Sequence, residues 1–171
     1  NRAVNEFRIT DPGKILDKTR ELVIETFEKS GEGVMDGMDI SLASLQTTSA
    51  GVIVLNWSGA NNSLWYVKKK QLEIIKGDKQ PIGKSYNHAP FSTQTVLLEK
   101  GDVFYLFTDG FVDQFGGERG KKFKYKQLNE LLYSIKESSP HIQKEKLSEV
   151  FENWRGNLEQ VDDVCIIGIR V

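Results

Sequence analysis

From Met38 to Phe107 the chain has no room for a long helix. Residues 38–45, 52–57, 64–67, 72–75, 93–98 and 103–107 form short runs rich in β-branched or aromatic side chains. Gly, Asn, Asp and Lys clusters punctuate them at close intervals, the pattern of strands joined by tight turns in antiparallel meanders. Helical spacing governs the rest. Thr10-Asp11-Pro12 is a helix start, a capping side chain followed by a proline whose missing N–H costs nothing there. Ile15, Leu16, Thr19, Leu22, Val23, Thr26 and Phe27 then recur on one face, and the glycines at 31–33 are the expected stop. Residues 125–135 repeat the helical pattern through Leu128, Leu131, Leu132 and Ile135. Ser139-Pro140 opens a further helix carrying Ile142, Leu147, Val150, Phe151 and Trp154 on one side. Residues 164–171 close as a strand, and residues 1–8 read as the tail of an earlier helix. The expectation is one α+β domain over 1–171, antiparallel sheets with helices outside.

Charge and composition exclude several functions. With 23 basic and 24 acidic side chains the net charge is −1, which argues against a dedicated nucleic-acid binder. No run approaches the roughly 18 apolar residues of a membrane span, and no charged-then-apolar leader is present, so a cytoplasmic domain without membrane contact is expected. The single cysteine, Cys165, permits neither an internal disulfide nor a thiolate metal cage. Inside an apolar run it is expected to be buried and inert. The two histidines, His88 and His141, lie in polar, loop-like surroundings and are too few for a zinc hydrolase.

Two apolar runs carry acids at opposite ends. The run at 103–107 stops at Thr108 and then Asp109-Gly110, whereas Asp162 and Asp163 stand immediately before the run at 164–171. If the two strands are antiparallel neighbours, Asp109 and Asp162 meet at one edge of a sheet. Like charges at close range disfavour ionisation, and the natural compensation is a hard divalent cation. Oxygen-only ligands point to Mg²⁺ or Mn²⁺ over zinc, with Gly110 letting the chain turn so that Asp109 aims outward. A metal ion lowers the pKa of its bound water, and a pair can clamp both oxygens of a phosphoryl displacement. Metal-assisted phosphate hydrolysis follows, with metal-bound water as nucleophile and no catalytic side chain of its own. Each motif alone is also an ordinary turn or strand-edge device; the pairing at opposite strand ends is what carries the argument. Asp39 is read as a turn residue, and Asp113 as a maker of local hydrogen bonds.

T-D-G-F-x-D-Q (108–114), G-K-K-F (120–123) and Q-V-D-D-V (160–164) resemble the C-terminal part of metal-dependent protein serine/threonine phosphatases of the PPM, or type 2C, superfamily. The match is to the bacterial branch related to the stage II sporulation phosphatase SpoIIE and to partner-switching stress phosphatases. SGANNSLWYV (58–67) is similar to that branch's glycine-rich hairpin, and QPIG (80–83) to its Pro-x-Gly turn. The resemblance covers 36–171. It implies an αββα sandwich, two Mn²⁺ or Mg²⁺ ions on a sheet edge, and phosphoserine or phosphothreonine proteins as substrates. It assigns Asp109 and Asp162 to metal binding, with Gly110 and Asp163 in support. It further implies a phosphorylated regulator, such as an anti-anti-sigma-type protein, as partner, and an upstream sensor domain in the parent chain.

Two departures stand out. Ala60-Asn61 replaces the histidine that follows the hairpin glycine in the family. The early glycine–aspartate strand and D-x-x-G-H-G-type turn, which supply the family's first metal acids, are not found in the 171 residues. The chain is therefore read as lacking the first strands of the fold. Weak Mn²⁺ binding and poor turnover are expected for these residues alone, and an exposed sheet edge would invite a homodimer. Lys121 and Lys122, with Lys124 and Lys126, are candidates for attracting a phosphorylated substrate, although such a run also serves as a solvated helix shoulder. No Gly-rich phosphate loop follows a strand and there is no serine nucleophile elbow, so kinase, ATPase and serine-hydrolase readings are weak. The alternative function is a non-catalytic protein-binding module on a degenerate phosphatase fold.

Overall fold

The computed structural model describes residues 1–30, 37–86 and 88–171; the glycine stop at 31–33 lies outside them. Contacts divide the chain into two compact units, Asn1–Leu64 with Ile74–Glu99, and Trp65–Glu73 with Lys100–Val171.

The first unit contains helices α1 (Arg2–Asn5) and α2 (Pro12–Ser30) and the strands β1 (Gly37–Met38), β2 (Ile40–Thr47) and β3 (Ile53–Ala60). Helix α2 begins where the proline places it, with the Lys14 amide donating to Asp11 Oδ1 at 3.0 Å. Its apolar stripe buries Leu16 with Ala60, Ile82 and Phe91. Strand β3 is central, antiparallel to β2 on one side and to β7 (Gln94–Leu98) on the other. A short pair, β1 with β6 (Ile82–Gly83), sits apart from that sheet. The buried Arg20 guanidinium donates to Asp17 Oδ1, Gln80 Oε1 and the Ala89 carbonyl. A charge removed from water needs such partners, and here they tie the segments on either side of β6 to α2.

The second unit is a helix-covered antiparallel sheet in the order β11 (Ile166–Arg170), β8 (Val103–Phe107), β4 (Leu64–Lys68), β5 (Gln71–Ile75). Alternate residues of β4 and β8, among them Trp65, Tyr105 and Phe107, face α4 (Lys124–Ile135) and α5 (Pro140–Arg155). Leu128 and Leu132 from α4 are fully buried against that face, each worth roughly 1.5–3 kcal/mol. Helix α5 starts at the predicted Ser139-Pro140, the Ser139 hydroxyl accepting from the Ile142 amide. Tyr105 Oη donates to Gln143 Oε1 at 3.0 Å beneath α5. The β4–β5 turn holds Lys69 and Lys70 at φ of 49° and 66°, the left-handed pair that a tight hairpin demands.

Both sheets are antiparallel with helices packed on them, as the sequence pattern requires. Three features differ from the expectations. Cys165 is exposed, because it precedes the outermost strand of its sheet and is not enclosed within it. His141 lies in the first turn of α5, exposed and 3.2 Å from Glu145. A miniature hairpin, β9 (Phe115–Gly116) with β10 (Lys121–Lys122), follows a one-turn helix, α3 (Gly110–Asp113). Two-residue strands are too short for periodicity to register. A side chain at Gly116 would place Cβ 1.9 Å from the Trp154 carbonyl oxygen, so that hairpin is pressed onto the end of α5.

Candidate metal centre

The site is built where β8 ends and β11 begins. The two strands are antiparallel, with Phe107 opposite Ile166, and the pairing extends one residue further through Thr108. The Thr108 amide donates to the Cys165 carbonyl at 3.0 Å. The Thr108 hydroxyl accepts from the Cys165 amide at 3.0 Å and donates to the Asp163 carbonyl at 2.7 Å. One side chain thus pegs the acid-bearing end of each strand to the other.

Asp109 follows directly and opens α3, its carbonyl accepting from the Asp113 amide at 2.9 Å. The next residue explains the close approach. A Cβ at Gly110 would fall 2.4 Å from the Asp163 carbonyl oxygen and 3.2 Å from that of Asp162. Gly110 has no left-handed φ. The glycine is there for the missing side chain, which admits the Asp162-Asp163 backbone, and not for an unusual turn. Asp109, Asp162 and Asp163 are all exposed. Asp162 Oδ1 accepts from the Asp163 amide at 2.7 Å, and its carbonyl accepts from Gln160 Nε2 at 2.8 Å.

The other sequence candidates fall as follows. Asp113 forms an ion pair with Lys122 at 2.9 Å, and Lys122 also lies 5.8 Å from the centre of the Phe115 ring. Lys121 is exposed on β10, opposite Gly116. Asp39, in the first unit, accepts from Asn61 Nδ2 at 2.8 Å, a local tie between strand ends. Asn61 itself is left-handed at φ 56°.

Gln114 was not singled out from the sequence beyond its place in the motif, and it is the best-connected side chain of the region. It is fully buried. Its Nε2 donates to the carbonyls of Glu159 at 2.9 Å and Phe115 at 3.0 Å, and its Oε1 accepts from the Val161 amide at 3.3 Å. Its own carbonyl accepts from Trp154 Nε1 at 3.0 Å and from the Phe123 amide at 3.0 Å. Both ends of the amide are spent on fastening the loop that delivers Asp162. Its sequence neighbours, Asp113 and Phe115, give no sign of this burial; once buried, such a group must find partners.

Among the described residues no group of three or more His, Cys, Asp or Glu side chains gathers in a metal-holding arrangement. The donor chemistry nonetheless fits a hard cation. Asp109, Asp162 and Asp163 offer exposed carboxylates at the joined strand ends, beside the exposed Cys165, and oxygen donors with room for water are what Mg²⁺ and Mn²⁺ take.

Helix-covered antiparallel sheets with an Asp-Gly strand end packed on an Asp-Asp strand start define a type 2C (PP2C) phosphatase fold. The chain belongs to the SpoIIE family: the family model for stage II sporulation protein E matches residues 3–171. No curated protein sequence matches it. Among solved structures it is similar to the SiaA PP2C domain of Pseudomonas aeruginosa, with 26% identity and a TM-score of 0.83 over 99% of this chain and 65% of that one. It is also similar to PppA, a regulatory component of the type VI secretion system in Pseudomonas aeruginosa, with 18% identity and a TM-score of 0.60 over 92% and 67%. A third is the phosphatase domain of the cell-fate determinant SpoIIE from Bacillus subtilis, presoaked with Mn, with 14% identity and a TM-score of 0.54 over 95% and 74%. The chain therefore spans 65% of the length of the SiaA domain. Among the described residues no helix is long and apolar enough to cross a membrane.

Proposed function

We propose that the chain is the greater part of a metal-dependent protein serine/threonine phosphatase domain acting on a phosphorylated regulatory protein in the cytoplasm. The observation that carries this reading is the seating of Gly110 on the Asp162-Asp163 backbone, which brings the acids of two distant motifs to one sheet edge. Asp109 and Asp162 are the residues that would hold Mn²⁺ or Mg²⁺, with Asp163 beside them. When bound, the ion supplies a water of lowered pKa and neutralises charge on the phosphoryl oxygens. The chain's own part is positioning. Thr108 pegs the two strand ends, Gly110 keeps them close, and Gln114 holds the approach to Asp162. Lys121 and Lys122 extend positive charge from β10, with Asp113 fixing where the Lys122 ammonium sits.

The membership of the family and the regulatory phosphatases among the similar structures support a signalling role, with the domain as the output end of a sensor protein. The test is Mn²⁺-dependent hydrolysis of p-nitrophenyl phosphate and of phosphoserine peptides by the full-length protein. Asp109→Asn should abolish it while leaving the circular dichroism spectrum intact; activity retained in that variant defeats the assignment. For the 171 residues alone, calorimetric titration should find weak Mn²⁺ binding, and two tight sites would refute that expectation.

A further inference from the structure

The backbone that carries Asp162 is held from several sides. The Gln114 side chain grips it twice, donating to the Glu159 carbonyl at 2.9 Å and accepting from the Val161 amide at 3.3 Å. Between those grips, Gln160 Nε2 donates to the Asp162 carbonyl at 2.8 Å. Beyond the acid, the Thr108 hydroxyl donates to the Asp163 carbonyl at 2.7 Å. Asp162 Oδ1 accepts from the Asp163 amide at 2.7 Å, so the carboxylate is oriented by the backbone on which it sits.

Gln114 can hold the 159–161 backbone only if its own peptide is fixed, and Trp154 helps to fix it. The indole Nε1 of Trp154 donates to the Gln114 carbonyl at 3.0 Å, and the Phe123 amide donates to the same oxygen at 3.0 Å. The indole is itself confined, lying against Gly116 and Gly117 and meeting the Phe123 ring edge-on. Trp154 stands in the last turn of α5, and Gln114 is fully buried. One buried residue thus joins the end of α5, through its main chain, to the approach to Asp162, through its side chain. Any buried amide must find partners. What singles this one out is that two of them lie within three residues of a candidate metal ligand.

We propose that Trp154 and Gln114 are positioning residues for Asp162. The indole N–H fixes the Gln114 peptide, and the Gln114 side chain fixes the backbone from which the carboxylate is presented. The proposal rests on the metal-dependent reading for what Asp162 binds, and on these hydrogen bonds for how it is held. Groups that orient a metal ligand without touching the ion govern about 10–100-fold in affinity.

The experiment uses the full-length protein with Gln114→Leu, Trp154→Phe and the two combined, well below the melting temperature. Trp154→Phe keeps an aromatic ring against Phe123 and deletes the N–H donor. Mn²⁺ affinity by calorimetry should fall about tenfold in Gln114→Leu and by less in Trp154→Phe. The double variant should match Gln114→Leu, because Trp154 then has nothing left to act through. In the metal-free protein, the Val161 and Asp163 amides should exchange faster in Trp154→Phe, although the indole donates to neither. Leu132→Ala, in the core face of α4, is the stability control: its melting temperature should fall while Mn²⁺ affinity and these two exchange rates hold.

Wild-type affinity and exchange in Trp154→Phe, losses that multiply in the double variant, or an equal loss in Leu132→Ala overturns the positioning role. Hydrolysis of p-nitrophenyl phosphate is measured in parallel. Its absence from a wild type that binds Mn²⁺, with the graded losses intact, sinks the phosphatase reading alone. A wild type that binds no Mn²⁺ sinks both.

Discussion

Gly110 and Gln114 show how little slack the acid edge has. Gly110→Ala would push a methyl group to 2.4 Å from a backbone oxygen, and backbone has no rotamer with which to yield. The expected cost is about 1–3 kcal/mol, read as a lowered melting temperature, together with weaker Mn²⁺ binding by calorimetry. A melting temperature equal to wild type would mean that the strand ends are not packed as described. Gln114→Leu keeps the volume and removes both functions of the amide. The Val161 amide and the Glu159 carbonyl lose their partner, at less than the roughly 1–3 kcal/mol of a fully buried unpaired group, because both bonds are only part-buried. Gln114→Glu is the sharper probe. It retains an acceptor for Val161 and forfeits the donation to Glu159 and Phe115, so its melting temperature should lie below wild type too.

At the level of elements, the β9–β10 hairpin is held less by its own two-residue strands than by the end of α5. Gly116 and Gly117 both lie against Trp154, and the Gly117 amide donates to the Trp154 carbonyl at 2.8 Å. The Trp154 indole in turn meets the Phe123 ring edge-on with centroids 5.3 Å apart, within the roughly 4.5–7 Å range of such pairs. Trp154→Ala should therefore loosen the hairpin as well as the helix end. The loss expected is about 3–5 kcal/mol at full burial, and less here because the indole is partly exposed. Hydrogen exchange at the Gly117 and Phe123 amides reads the effect directly. Unchanged protection at both would show that the hairpin stands without the tryptophan.

Across the whole molecule, alkaline pH is the condition that should reveal the packing. Burial pushes the Tyr105 hydroxyl from its usual 10 up to about 12, with Arg170 pulling the other way. Burial, and then the Glu73 carboxylate beside it, raise Tyr66 to about 12 as well. Both pKa values are raised in the folded state, so their contribution is fully present below pH 10 and is lost as pH climbs towards 12. Melting temperature should fall across that window. Tyr105→Phe should flatten part of the fall, and Tyr66 should account for part of the remainder; an unaltered slope in Tyr105→Phe would refute this account.

Much of the architecture was legible beforehand because it depends on periodicity and punctuation. The run at 103–107 is the strand β8 to the residue, and Ser139-Pro140 starts α5 as capping chemistry requires. The pairing of β8 with β11, which the sequence sets only as the condition for the two acid motifs to meet, is present. What stayed hidden depends on packing at close range. Gly110 looked like a turn residue and is a contact point. Gln114 looked like one more polar residue in a loop and is a buried fastener. Cys165 looked enclosed because its neighbours are apolar, but an outermost strand leaves one side uncovered.

The Thr108 hydroxyl, engaged by Cys165 and Asp163 at once, has a kinetic corollary. If the proposed cation binds there, strand ends whose backbone is already pegged have no chain rearrangement to wait for when it arrives. Loading should then run at the speed with which the ion sheds its own hydration shell. Mg²⁺, which gives up water reluctantly, should enter more slowly than Mn²⁺ at equal concentration, and Thr108→Val should bring the two rates together by making the protein the slow partner.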